Sequence, residues 1–293
     1  MTTAGAAAAR DRALFPDVAG RRELVGGWAS LTLIHYFVVE AIALSAWRGT
    51  PDYDRRAHVI SDLGAAHCGP FNGYVVCSPL NWLMNGSFVL QSLAMVLGAL
   101  MLSTAVLSVA AQPGSRAVRP TKAALLSKGS LLPRNASLSG VPWLAAGAVR
   151  LLILIAGVGQ GIVGVVPEDT NLTLHLTGAG MYFIAGPLSL LVLGVVWVKY
   201  TAMGWMVILF GVVSSSATAY VLAAGLRVAE PGAIERTMAY PIILGLSLVG
   251  LIVAQRVHRQ RKLVRTAARS AGQAAQQRHP QAGSAGTAPT PRP

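Results

Sequence analysis

"GVGQGIVGVVPEDTNLTLHLTGAGMY", residues 157–182, ends one long apolar run and starts another. The run before it opens at Pro142 and the run after it continues to Val198. Each is longer than the roughly 20 apolar residues needed to cross a bilayer. Pro167 closes the first run, and "PED" makes a tight turn between them. Two antiparallel membrane helices are therefore expected here, with Asp169 or Thr170 as the cap of the second. Gly157 and Gly161 form a GxxxG, with Gly164 a turn later, so a partner helix can approach closely.

The same pattern extends in both directions and predicts six spans, at about 25–46, 79–111, 142–166, 172–198, 203–226 and 237–256. Pro79 falls in the first turn of the second span, and Pro231 lies in the last connecting loop. Pro187 and Pro241 fall inside spans, which a bundle tolerates when a neighbour satisfies the freed carbonyl. The first span follows Arg21, Arg22 and Glu23 and lacks a small-residue cleavage site, so it reads as a retained helix. The expected fold is an all-α membrane protein, a six-transmembrane-helix bundle with both termini cytoplasmic. A tail over 1–22 precedes the membrane domain of 23–256. A basic and then disordered tail follows over 257–293.

Composition agrees. The chain is 53% hydrophobic and 12% charged, against about 25% charged in a soluble domain, and its mean hydropathy is +0.54. The net charge of +13 suggests nucleic acid until the cations are located. They concentrate in the N-terminal tail, in the 112–140 loop (Arg116, Arg119, Lys122, Lys128, Arg134) and beyond Arg256. Patches beside apolar spans set topology and touch anionic inner-leaflet lipid, so nucleic acid is excluded as a partner. With the N-terminus inside, only Arg48, Arg55, Arg56, Arg227 and Arg236 fall outside. The positive-inside rule thus points to a multi-pass protein of the plasma membrane with its tails in the cytoplasm. Cys68 and Cys77, the only cysteines, both fall in the first external loop and are expected to pair.

Eight of the 11 acids map to the outer half of the first helix or to external loops. Glu40 is expensive in a membrane, so it is either paired or faces a wet cavity. Asp62, beside Ser61 in "ISDLG", either holds a turn or rims a site. Asn81 and Asn85 make a polar stripe with Ser78, which must face the bundle. Gln160 lies on the third helix. Glu168 and Asp169 follow it, and His175 sits one turn inside the fourth helix with Gly178, Ala179 and Tyr182 on its face. The hydroxyls of "SSSATAY" (214–220) are expected to bond back to their own helix. Glu235 and Arg236 lie at the outer boundary, where Arg236 suits Glu40, Asp62, Glu168 or an anionic ligand. These residues converge on one depth and one side, which implies an outer-face pocket walled by residues 58–88.

The blocks "HVISDLGAAHCGP", "YVVCSPLNWLMNGSF", "RLLILIAGVGQGIVGVVPEDTNLTLHLTGA" and "GAIERTMAYPIILG" occur in this order. In that order they resemble a bacterial integral-membrane family known as domain of unknown function number 998. The resemblance covers about residues 25–256. It implies a six-helix membrane protein and no particular activity. "ISDLG…P" is also similar to a block of the eukaryotic FRAG1/DRAM/Sfk1 membrane proteins, which hints at lipid-linked biology. Three functions follow as expectations. The first is binding of a lipid or small ligand at the outer face. The second is an intramembrane hydrolase or transferase using Asp62, Glu168, Asp169 and His175 as acid, base or metal ligands. The third is a proton-coupled transporter using Glu40. No motif specifies a cofactor, a metal or a protein partner.

Overall fold

The structure is a computed structural model, and it describes residues 21–109, 140–225 and 227–278. The N-terminal tail to residue 20, nearly all of the basic 112–140 loop and the stretch from 279 on lie outside the described residues. Among those described, six helices are long and apolar enough to cross a membrane. The first span is α1 (Arg21–Leu31), a 3-10 turn (Thr32–His35) and α2 (Tyr36–Ser45). Here Ser30, Thr32 and His35 turn their side chains onto the carbonyls of Gly26, Ala29 and Thr32. Such side-chain competition bends a helix.

The second span, α3, runs Asn81–Met101 and not 79–111. Pro79 therefore lies in a turn before the helix and not in its first turn. Leu102 turns extended, and a short helix α4 follows (Thr104–Val109). Three polar groups stabilise that break. Ser103 Oγ accepts from Val106 N, as a cap does. Arg150 Nε donates to Ala99 O at 2.8 Å, and Arg22 donates to Leu100 O. Those carbonyls would otherwise be unsatisfied at a helix end.

The remaining spans are α5 (Gly140–Val165), α6 (Leu172–Trp197), α7 (Met203–Ala223) and α8 (Pro231–Arg278). Pro231 opens α8 and is not a loop residue, in keeping with its missing N–H. The helix also continues through residues 268–278, where disorder was expected. Each span packs on its sequence neighbours, and α8 closes back onto α1. α8 is the central helix: 72% of its apolar window is buried, against 28% to 44% elsewhere. The outer faces carry exposed Trp28, Trp82, Leu93, Leu144, Leu151 and Trp205, as a lipid-facing belt does.

Small residues set the crossings. A Cβ on Gly164 would stand 2.9 Å from Asn85 O and Phe88 Cβ, and one on Gly157 would stand 3.0 Å from Met95 Cβ. The GxxxG face therefore meets α3. Pro187 frees the Phe183 carbonyl, and Thr218 Oγ1 of α7 donates to it at 3.1 Å. Ser214 Oγ likewise donates to Met238 O of α8 at 2.7 Å. The hydroxyls of "SSSATAY" thus cross to neighbouring helices as well as bonding back, as Thr218 does to Ser214 O.

Candidate functional site

The connection between α2 and α3 folds over one end of the bundle. Its hairpin pairs β1 (Gly69–Phe71) with β2 (Tyr74–Val76) around Asn72 and Gly73. Both turn residues have positive φ, 53° and 87°, as a two-residue hairpin of this kind requires. Cys68 and Cys77 flank the paired strands and form a disulfide. Upstream, Ser61–Gly64 make a 3-10 turn. Ser78 Oγ donates to Leu63 O and Asn85 Nδ2 to Gly64 O, which ties this turn to the start of α3. Asn81 bonds only to the local Ser78 carbonyl. The expected Asn stripe therefore fastens the loop to the start of α3.

Glu40 is 1% exposed and paired. Arg236 Nε donates to its Oε1 at 3.0 Å, and Tyr240 Oη donates to both oxygens at 2.9 and 2.7 Å. Arg236 is also fully engaged. Its Nη1 reaches the carbonyls of Arg55, His58 and Gly232, and its Nη2 reaches Tyr53 Oη at 2.7 Å. The cluster pins the loop to α8. Of the partners expected for Arg236, Glu40 holds it.

Asp62 is fully buried rather than at a rim. It accepts from Val59 N at 3.0 Å, Tyr74 Oη at 2.5 Å and Asn72 Nδ2 at 3.4 Å. Burial and this bond to Asp62 push the Tyr74 hydroxyl pKa well up. Glu168 lies beside Asp62. Burial, then the Asp62 carboxyl, push the Glu168 pKa up to about 10. Glu168 Oε1 is buried and has no hydrogen-bond partner among the described residues.

Asp169 does not cap α6. Asn171 does, accepting from Leu174 N at 3.0 Å, while Thr170 bonds to Pro167 O. Asp169 instead accepts from Ala66 N, His67 N and His67 Nδ1, each at 2.9 Å. Burial draws its pKa up, but these donors outweigh burial and hold it below the usual value.

Ser61, Glu168, His175 and Glu235 come together. Ser61 Oγ is 3.0 Å from His175 Nε2 and 3.1 Å from Glu235 Oε1. His175 Nδ1 is 2.7 Å from Val166 O, and Glu235 Oε2 also accepts from Ile60 N. These four side chains line one end of a cavity of about 600 Å³ between α6, α7 and α8. Apart from Thr218 the other walls are apolar, among them Phe183, Val221, Ile234 and Met238. At its mouth Leu176, Ile184 and Leu222 are exposed, so it opens toward the lipid-facing side. Among the described residues, neither Lys nor Arg lines it. Gln160 and Tyr182 line a separate cavity of about 30 Å³ behind Ser61 and His175.

No three His, Cys, Asp or Glu side chains form a metal-holding group among the described residues. Asp62, Glu168, Asp169 and His175 are thus not assembled as a metal site. Sequence reasoning did not single out Tyr53, His58, Tyr74 or Tyr240. Compared with known proteins, the chain matches no family model, no curated protein and no solved structure.

Proposed function

We propose that the protein holds a membrane amphiphile in the cavity between α6, α7 and α8. The apolar chain lies along Phe183, Val221 and Met238. The polar end meets Ser61, Glu168, His175 and Glu235. The observation that carries this reading is the cavity itself: about 600 Å³, mostly apolar and open at exposed apolar residues, with its carboxyls and imidazole supplied by Glu168, Glu235 and His175 beside Ser61. Lipid-sized sites have this volume and this pattern. Its polar end offers carboxyls, a hydroxyl and an imidazole and, among the described residues, lacks Lys or Arg. An uncharged or cationic head therefore fits better than a phosphate.

The same proposal includes orientation. Positive charge counted by side supports cytoplasmic termini in a plasma membrane, which puts the cavity in the outer leaflet. The Cys68–Cys77 bridge favours that side, since disulfides persist in oxidising compartments. The basic part of α8, with Arg259, Arg261, Lys262 and Arg265, then meets inner-leaflet anionic lipid. Membership of the bacterial family whose blocks the chain resembles belongs to this proposal. Glu40 saturates its oxygens on Arg236 and Tyr240, which favours a structural role over proton carriage.

Extraction in native lipid nanodiscs followed by native mass spectrometry tests the reading. The wild type should carry one amphiphile enriched over bulk lipid. Val221→Trp, which fills the cavity, should reduce its occupancy at least about 10-fold, a change of about 1.4 kcal/mol. Leu93→Trp, on an exposed face of α3, should not. No enrichment in the wild type would refute the reading.

A further inference from the structure

His175 Nδ1 faces the Val166 carbonyl at 2.7 Å. A carbonyl oxygen only accepts, so Nδ1 carries a proton. The neutral ring then turns the Nε2 lone pair to Ser61 Oγ, 3.0 Å away. A hydroxyl, a base within hydrogen-bond reach and a group that orients the base form the constellation of nucleophilic catalysis. Ser61 sits on a turn fastened by Asp62 to Val59 N, by Ser78 to Leu63 O and by Asn85 to Gly64 O. Its position is therefore set in advance, as a nucleophile's must be.

Two cavities meet this pair. The large one takes an acyl chain. The small one, about 30 Å³, is lined by Tyr36, Ser61, Gln160, His175 and Glu235 among others. It is about the volume of one water and polar enough to hold it. The Tyr36 hydroxyl is buried there with no partner among the described residues. A hydrogen bond that merely joins a loop to a helix needs neither cavity.

We propose that Ser61 is the nucleophile, and His175 the general base, of an acyl-transfer reaction on a neutral acyl-ester amphiphile bound in the large cavity. The proposal rests on the cavity reading above. Ser61 Oγ bonds to the acyl carbon as its proton passes to His175 Nε2, and the carbonyl electron pair moves onto oxygen. When that pair returns, the bond to the leaving alcohol breaks, and the alcohol oxygen takes the proton from Nε2. Acyl-Ser61 remains. A water, the second substrate, then gives a proton to Nε2 and attacks the acyl carbon. Ser61 recovers its proton from Nε2 as the carboxylic acid leaves. Glu235 Oε1, 3.1 Å from Ser61 Oγ, is the second acceptor within reach of the single Ser61 proton; the reactive rotamer turns that proton to His175 Nε2, 3.0 Å away, and leaves Glu235 facing the imidazolium across Ser61.

The test uses the full chain in nanodiscs with a dodecyl fluorophosphonate, its ethyl analogue and a long-chain acyl ester. The wild type should form a phosphonyl adduct on the peptide bearing Ser61, at least about 10-fold faster with the dodecyl probe. It should also release fatty acid from the ester. Ser61→Ala should abolish both. His175→Asn should slow both by about 10²- to 10⁴-fold, at a melting temperature checked in parallel. Native mass spectrometry of the same wild-type sample separates the failures. A bound amphiphile without adduct or acyl release overturns the Ser61 proposal and leaves the binding reading intact. No amphiphile and no adduct overturns both. Equal adduct formation in folded His175→Asn removes His175 as the base. Wild-type labelling decides the matter even where a variant fails to fold.

Discussion

Arg236→Met is the perturbation with the best-defined consequence. The guanidinium makes five hydrogen bonds: one to Glu40, three to backbone carbonyls and one to Tyr53. Its side chain is 8% exposed and that of Glu40 is 1% exposed. Met keeps most of the volume and removes every donor. Glu40 is then left with Tyr240 and with Arg55, which is 3.8 Å away and largely solvated. Removing one partner of a buried pair costs about 3–5 kcal/mol. Glu40→Gln is milder, because Tyr240 can still bond and Arg236 keeps four acceptors; about 1–3 kcal/mol is expected. The double variant lacks the uncompensated charge, so the pair should be coupled by about 2 kcal/mol or more. Reversible unfolding in mixed micelles, with the disulfide intact, yields all four free energies. The exposed Arg56–Glu230 pair (72% and 45% exposed) provides the contrast, at no more than about 1 kcal/mol and sensitive to salt. Additivity within about 0.5 kcal/mol, or Arg236→Met within about 1 kcal/mol of wild type, would show that Arg236 does not pin the loop.

Glu168 predicts a pH dependence. Its folded pKa is raised toward about 10 by burial and by Asp62, so the folded chain keeps a proton that the unfolded chain releases above about pH 4.3. Stability should fall as pH rises through this window, by up to about 1.4 kcal/mol per unit. Glu168→Gln should flatten the fall, and melts at several pH values with unchanged slope would contradict the assignment. Cys68→Ser with Cys77→Ser should lower stability by about 2–3 kcal/mol from loop closure alone, and hydrogen exchange should quicken first at Gly69–Val76. Gly164→Val meets Asn85 and Phe88 and should cost about 1–3 kcal/mol. Gly86→Ala meets nothing within 4 Å and should be neutral or stabilise by up to about 1 kcal/mol; equal effects would mean that α3 and α5 do not cross there.

The six spans were legible because a bilayer demands long apolar runs, and that signal is local. The break at Leu102 was not, since apolar residues continue through it and its support comes from Arg22 and Arg150, far away in sequence. The hairpin is legible in principle, because "NG" at Asn72–Gly73 between short β-formers is the usual signal for one. That the polar residues share one end could be read from spacing, and Ser61, Glu168, His175 and Glu235 do meet there. Their division of labour could not. Asp169 turned to the 66–67 backbone rather than to its own helix, and Arg236 chose Glu40. Such choices depend on the path of a 35-residue connection over the bundle.

The acids at the loop end serve two purposes that the geometry separates. Glu40, Asp169 and Glu230 each meet a basic side chain: Arg236, His67 and Arg56. The two arginines compensate Glu40 and Glu230, Asp169 is satisfied by backbone and imidazole N–H donors, and all three hold loops. Glu168 and Glu235 line the cavity, which no described Lys or Arg lines. Removing a carboxyl from water without a cation is unfavourable unless it keeps its proton or a donor arrives. The raised pKa of Glu168 is one such response. A ligand hydroxyl or amine against Glu168 Oε1 would be another, and it would favour the same end of the cavity at which Ser61 and His175 stand. An apolar tunnel alone would be more stable with Leu or Gln in place of these acids. Their presence beside a hydroxyl–imidazole pair is what a site for a polar head, and for chemistry on it, calls for.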